Sequence, residues 1–122
     1  MITEYYVSYE IAKMLKEKGF NERSIASYDS KGQLQEGYGY WNKTPIWCAA
    51  PTHQMAMAWL REMHGIFIAI NNDDLDFNWQ CCDLINRAST LDPKILSESY
   101  AGYKTYEEAV EAALKYVLEN LI

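Results

Sequence analysis

The stretch IFIAINNDDLDFNWQCCDLI, residues 66–85, decides the fold class of this chain. Ile66 to Ile70 is an apolar run of strand length, and Asn71 to Asp76 after it is polar. Phe77 to Ile85 is again rich in apolar and aromatic residues. Two such runs around a polar turn are typical of an antiparallel β-hairpin, so we expect antiparallel sheet.

A second hairpin is predicted nearer the N-terminus. Arg23 to Tyr28 and Gln33 to Tyr40 flank Asp29-Ser30-Lys31-Gly32, a turn signal in which the glycine can adopt a positive φ. Residues 86–104 would be long for a structureless connection. We therefore expect a short edge strand there, at Ile95 to Ser99.

Three helices are predicted around these hairpins. The first runs from Tyr9 to Lys18 with Ser8 as its N-cap, and the second runs from Thr52 to His64. The third begins at Thr105-Tyr106-Glu107-Glu108, a capping box that satisfies amides of the first turn. The inward residues of the third helix are expected to be Tyr106, Val110, Ala113, Leu114, Val117 and Leu121.

The order of elements is therefore helix, hairpin, helix, hairpin, edge strand, helix. Hairpins beside helices indicate an α+β fold, with an antiparallel sheet of four to five strands and helices packed on one face. The length of 122 residues fits a single α+β domain over residues 1–122. Because residues 15–20 resemble residues 60–66, a duplicated helix–hairpin unit is one alternative.

Charge and hydropathy argue against several classes of partner. The chain has 11 Lys and Arg against 17 Asp and Glu, and residues 62–122 carry 4 basic and 11 acidic residues. Such a chain lacks the clustered positive charge that phosphate-backbone binding needs, so no nucleic-acid partner is expected, and an acidic DNA mimic is only a lesser alternative. No apolar stretch approaches the roughly 20 residues of a membrane span, so no membrane partner is expected. The opening residues, Met1 to Glu4, show neither the basic region nor the apolar region of a signal peptide, so no secretory signal is expected.

The cysteines and histidines give little support for catalysis or metal binding. Cys48, Cys81 and Cys82 are an odd number without CxxC spacing, which favours a reducing, cytoplasmic location. Cys48 lies five residues before His53, but no flanking catalytic signature accompanies the pair. His53 and His64 are too far apart on one helix to share a metal. We expect buried thiols, no catalytic residue, no metal and no cofactor, with a Cys/His enzyme as a lesser alternative.

The aromatic segment Gly37 to Trp47 is the most unusual part of the sequence. Aromatic side chains with polar tips carry much of the binding energy at recognition surfaces. Tyr38, Tyr40, Trp41 and Trp47 are therefore candidate binding residues. The alternative is an edge strand whose aromatic side chains pack beneath the second helix.

The second helix predicts self-association. Its middle, Met55 to Leu60, is apolar on every side and so needs cover on more than one face. With Met55, Ala56, Trp59 and Met63 directed at the sheet, Met57 would lie on a second face. A symmetric dimer commonly covers such a face, so we expect a homodimer with Met57 near its axis.

Three stretches of the chain also carry a family resemblance. Tyr6 to Leu15, Ala50 to Glu62 and Tyr103 to Ala109 resemble a family of small uncharacterised proteins from phages and prophages of gut bacteria. The resemblance covers most of the chain and brings no activity, cofactor or catalytic residue. It implies an accessory protein in the cytoplasm of a bacterial host.

The expected function is non-enzymatic protein–protein binding, towards an unidentified host or phage protein. The main alternative is a small-molecule protein that stacks a nucleotide-like ring on Tyr38, Tyr40 or Trp41.

Overall fold

The computed structural model describes residues 4–40, 42, 47–84, 94–99 and 102–122. Within these residues the elements are, in chain order, α1 (Tyr9–Glu17), β1 (Ser24–Tyr28), β2 (Leu34–Tyr40), β3 (Cys48–Ala49), α2 (His53–His64), β4 (Ile66–Asp73), β5 (Asp76–Asp83), β6 (Lys94–Glu98) and α3 (Tyr106–Asn120). The α+β class is thereby confirmed. Contacts divide the chain into two compact units, residues 1–56 and 57–122, with the boundary inside α2.

The first unit contains α1 and an antiparallel sheet in the order β2–β1–β3. Ser8 caps α1 as predicted, because its hydroxyl accepts a hydrogen bond from the Ile11 N–H at 3.3 Å. Ile11, Ala12 and Leu15 form the buried face of the helix. Gly19, at φ 93°, follows the C-cap and leads the chain away from the helix.

Asp29 orders the turn between β1 and β2. Its carboxylate accepts hydrogen bonds from the backbone N–H groups of Lys31 at 2.9 Å and Gln33 at 3.0 Å. These bonds, the one from Gln33 above all, hold the pKa of Asp29 below its usual value. Gly32 adopts φ 78° as predicted, and its N–H donates to the Asp29 carbonyl at 3.0 Å.

The second unit contains an antiparallel sheet in the order β4–β5–β6, with α3 packed on β5 and β4. The Trp79 ring contacts the Tyr116 ring at 5.1 Å between centroids. Thr105 caps α3, since its hydroxyl accepts the Glu108 N–H at 3.1 Å. The buried residues of α3 are Ala109, Val110, Ala113, Leu114, Val117 and Leu118. Of the other two predicted inward residues, Tyr106 is exposed and Leu121 is half-buried.

The expectation of one sheet of four to five strands is not met, because the described strands form two three-stranded sheets. Each hairpin gains its third strand from the segment that follows it: β3 pairs with β1, and β6 pairs with β5. The edge strand predicted at Ile95 to Ser99 is therefore present as β6. The central strand is β1 in the first sheet and β5 in the second, so the two units differ in topology and do not support a simple duplication.

The second hairpin is longer than predicted. The strands continue through residues assigned to the polar turn, up to the pair Asp73 and Asp76, and leave only Asp74 and Leu75 as loop. Asp74 adopts φ 52°, a left-handed conformation that Asp tolerates better than most residues. The polarity of residues 71–73 reflects exposure at the strand end and does not mark a break in the strand.

Candidate functional site

A cleft of about 220 Å³ lies on the first unit, between the N-terminal segment, the start of β1 and the residues that lead into α2. The backbone fixes these segments to one another. Tyr6 forms an isolated antiparallel bridge with Thr52, and the Val7 N–H donates to the Pro51 carbonyl at 2.9 Å. The His53 N–H donates to the Tyr5 carbonyl, also at 2.9 Å. The cleft is therefore held by main-chain hydrogen bonds and is preformed.

Apolar groups make up much of the cleft wall. Ala50 and Pro51 are buried lining residues, whereas Ile25 is 53% exposed and Met55 is 42% exposed. The two exposed side chains come from different elements, β1 and the first turn of α2. Because they meet at one cleft, they form a small apolar surface that a ligand could bury.

An irregularity in the sheet adjoins this cleft. The register of β1 against β2 shifts between Ser24 and Ala26, so that extra residues of β2, including Gly37, lie opposite Ile25. Such bulges change the direction of neighbouring side chains and are common beside binding sites. Gly37, the first residue of the aromatic segment, thus lies at the bulge.

The polar rim of the cleft carries both signs of charge. Arg23 and Glu4 line it together with Tyr6 and Thr52. Burial raises the pKa of Tyr6 above its usual value, and the negative charges of Glu36 and Glu4 add to this effect. The phenol consequently stays protonated at neutral pH and can donate a hydrogen bond. Thr52 already uses its hydroxyl to accept the Met55 N–H at 3.2 Å, which caps α2.

The size of the cleft decides between classes of ligand. A cavity of about 150 Å³ holds a benzene-sized group, whereas sites for drug-sized molecules usually occupy about 300–1,000 Å³. At about 220 Å³ the cleft suits one amino-acid side chain and is small for a nucleotide. The carboxylates of Glu4 and Glu36 near Tyr6 would also repel a phosphate.

The structure describes only part of the aromatic segment. The backbone at Tyr38 and Tyr40 belongs to β2, and Trp41 lies outside the described residues. Trp47 is half-buried, and its carbonyl accepts a hydrogen bond from Lys16 Nζ at 2.9 Å. Of these four side chains only that of Trp47 is described, and it is not among the described residues that line the cleft.

The expected orientation of α2 is partly wrong. Ala56 and Trp59 are buried as predicted, but Met55 is exposed and Met63 is 65% exposed. Met57, which we expected on an uncovered face, is only 7% exposed within the single chain. The reason is that the buried face of α2 is centred on Ala56, Trp59 and Leu60 and extends to Met57. Met57 is therefore a core residue and is not available at a dimer axis.

The thiols are buried, as expected, and His53 is buried as well. Cys48, Cys81 and Cys82 are all free and buried. Burial raises the pKa of the Cys81 thiol, whose Sγ donates to the Ser97 carbonyl at 3.6 Å. His53 is 5% exposed, and its ring stacks on the Tyr5 ring with 6.3 Å between the ring centroids. Among the described residues, no group of three or more His, Cys, Asp or Glu side chains could hold a metal ion.

No family model, no curated protein and no solved structure matches this chain. In the part of the chain that the structure describes, no helix has the length and hydropathy needed to cross a membrane.

The cleft was missed by the sequence analysis because its residues come from distant segments. Tyr6, Arg23, Ile25 and Met55 have no common motif or spacing. The one usable signal in the sequence is the apolar stretch that begins at Met55, but its pattern predicts that Met55 faces the sheet.

Proposed function

We propose that the chain is a non-enzymatic accessory protein that binds another protein, and that the cleft on the first unit receives a side chain of this partner. The observation that carries the proposal is the composition of the cleft. Exposed Ile25 and Met55 lie beside Arg23 and Tyr6 in a site of side-chain size. Tyrosine and arginine are enriched among residues that dominate binding energy at protein interfaces.

The chemistry of the cleft specifies the kind of segment it would bind. The apolar wall suits an aliphatic or aromatic side chain, and the Tyr6 hydroxyl can donate to a main-chain carbonyl. Arg23 and Glu4 provide one charge of each sign, so that neither a purely acidic nor a purely basic segment is favoured. The proposed ligand is therefore a peptide segment with a central apolar anchor residue.

The cellular setting belongs to the same proposal. We propose that the chain acts in the cytoplasm of a bacterial host, as the resemblance to phage and prophage proteins implies, and that its partner is a host or phage protein. The expected homodimer is also retained, although its surface must lie elsewhere than at Met57. A nucleotide-like ligand on Tyr38, Tyr40 or Trp41 remains the alternative, at a surface other than the described cleft.

Selection from a random peptide library with a fixed central Leu or Phe tests the proposal. Peptides selected on the wild-type chain should bind Ile25→Asp at least about tenfold more weakly, which corresponds to 1.4 kcal/mol. Ile95→Asp is the matched control, because Ile95 is also a strand isoleucine and is 52% exposed against 53% for Ile25. Equal binding to Ile25→Asp and the wild type, or failure to select any peptide, would contradict the proposal.

A thermal-shift screen with nucleotides tests the alternative in parallel. A nucleotide at 100 times its dissociation constant should stabilise the folded chain by about 2.7 kcal/mol. Stabilisation by a nucleotide, together with failure of the peptide selection, would favour the alternative function.

A further inference from the structure

Each sheet of the two units has two edge strands, and these edges differ in how well they are protected. β6 is five residues long, its register against β5 shifts between Cys81 and Cys82, and it includes the charged residues Lys94 and Glu98. β3 has two residues, and β2 is irregular and contains Glu36. Short length, bulges and charges are the usual means by which proteins prevent edge-to-edge pairing.

β4 lacks these protective features. It has eight residues, its register against β5 continues without a shift from Ile66 to Asp73, and it carries no charge before Asp73. Its first five residues are Ile66, Phe67, Ile68, Ala69 and Ile70, without proline or glycine. A long, regular, apolar edge is a template for pairing with another strand.

The hydrogen-bond pattern identifies the backbone groups at this edge. The Leu84 N–H donates to the Gly65 carbonyl at 2.8 Å, so Gly65 and Leu84 are a hydrogen-bonded pair in the register of β4 and β5. Bonded and non-bonded pairs alternate along an antiparallel ladder. The backbone N–H and C=O groups of Ile66, Ile68, Ile70 and Asn72 therefore point away from β5. The described strands place no neighbour on that side of β4.

We propose that the β4 edge pairs antiparallel with β4 of a second copy of this chain, so that two three-stranded sheets join into one of six strands. Pairing centred on Ala69 places Ile68 opposite Ile70 of the second copy and Ile66 opposite its Asn72. All four outward residues then exchange main-chain hydrogen bonds. Such an interface is isologous and closes as a two-fold dimer.

Charge complementarity favours a second copy over an unrelated strand. In the centred register, Asp73 and Asp74 of one copy lie beside Gly65 and His64 of the other. The last turn of α2 carries Arg61 as well as His64. The acidic hairpin tip of each copy thus approaches the last turn of the other copy's α2, which holds Arg61 and His64 and one acidic residue, Glu62, 4.0 Å from Arg61. The symmetry repeats this contact at both ends of the paired strands.

The inference rests on the self-association retained above and adds the surface that mediates it. A pair of eight-residue strands is smaller than a standard protein interface of about 1,600 Å². The dimer is accordingly expected to depend on concentration, with a dissociation constant no tighter than about micromolar.

Sedimentation velocity measures the dimer at chain concentrations from about 1 to 500 micromolar. A dissociation constant near micromolar requires this range. Asn72→Pro removes an N–H that points away from β5 while leaving the β4–β5 ladder intact, and Asn72 is exposed. We expect this variant to dimerise at least about tenfold more weakly, since the symmetric pairing loses the bond in both copies. Glu98→Pro is the matched control on β6, because its N–H also points away from β5, and it should dimerise like the wild type.

A charge-pair experiment keeps the test decisive if either proline variant fails to fold. In the centred register, the two Ala69 side chains meet at the dimer axis, so Ala69→Lys alone and Ala69→Asp alone should each be monomeric. An equimolar mixture of the two variants should restore the dimer. Circular dichroism establishes that each variant is folded.

The outcomes separate this inference from the proposals on which it depends. A wild-type chain that is monomeric at 500 micromolar overturns both self-association and the β4 edge, without affecting peptide binding at the cleft. If the wild-type chain dimerises and folded Asn72→Pro dimerises equally well, the β4 edge alone is overturned. The same conclusion follows if Ala69→Lys and Ala69→Asp each still dimerise alone.

Discussion

The turn at Gly32 offers a direct measure of how tightly the first hairpin packs against α1. Gly32 has φ 78°, and a Cβ built on it would lie 2.9 Å from Tyr9 Cδ2 and 3.0 Å from Tyr9 Cε2. The Tyr9 ring is itself held by the Tyr28 ring at 5.4 Å and by Lys13 Nζ at 4.6 Å from its centroid. Gly32→Ala must therefore both strain the backbone and displace this ring.

The two costs can be worked separately. A non-glycine residue in the left-handed region costs about 1 kcal/mol. Moving the Tyr9 ring weakens its contacts with Tyr28 and Lys13, each worth about 0.5–1.5 kcal/mol at most. We expect Gly32→Ala to lower the free energy of unfolding by about 2–3 kcal/mol. Gly19→Ala is the matched control, because Gly19 has φ 93° but no atom within 4 Å of the added Cβ, so it should cost about 1 kcal/mol.

Urea unfolding of these variants, in the presence and absence of Tyr9→Ala, measures the coupling. When the Tyr9 ring is removed, the cost of Gly32→Ala should fall to about that of Gly19→Ala, which gives a coupling free energy of about 1–2 kcal/mol. The reasoning is refuted if Gly32→Ala costs no more than Gly19→Ala, or if its cost is the same in the Tyr9→Ala background.

Two further predictions concern hydrogen bonds at the ends of elements. Thr105→Ala removes the acceptor of the Glu108 N–H and should lower the free energy of unfolding by about 1 kcal/mol. Thr105→Ser keeps the hydroxyl and should retain most of that stability. An equal loss in both variants would contradict the cap. The pKa of Asp29 is lower in the folded chain than in the unfolded chain. Its hydrogen bonds therefore stabilise the fold fully at pH values above the unfolded-state pKa, and this stabilisation is lost as the pH falls through the folded-state pKa. Urea unfolding at several pH values should therefore show a stability difference between wild type and Asp29→Asn that shrinks in acid, and a difference independent of pH would contradict the assignment.

Local chemistry made most of the elements predictable. Ser8 and Thr105 were identified as caps because their hydroxyls precede helical apolar spacing, and both accept the expected N–H groups. Asp29-Ser30-Lys31-Gly32 is a turn signal in which the glycine can adopt a positive φ, and Gly32 adopts one. These interactions span three or four residues, so the sequence contains all that is needed to infer them.

Long-range pairing was not predictable in the same way. The sequence predicted a strand near Ile95 but could not specify that β6 would join only the second sheet, because strand order depends on contacts between distant residues. The buried face of α2 was misjudged for a related reason. When a helix is apolar on every side, periodicity gives no preferred direction, and only tertiary packing buries Met57 and exposes Met55.

The cleft shows the same limit, since main-chain hydrogen bonds to residues 51–53 bring Tyr6 to a site that no local pattern marks.

The two proposed surfaces would reinforce each other. The described residues that line the cleft belong to the first unit and the β4 edge belongs to the second, so pairing at β4 uses none of these lining residues. A dimer would then present two clefts. A partner that displays two copies of the docking segment would bind the second cleft at a high effective concentration, and overall affinity could exceed that of one cleft by 10²–10⁴ where the spacing permits. A single cleft of about 220 Å³ provides room for only one anchor residue, so pairing two clefts is the physical route by which so small a site could bind a partner firmly.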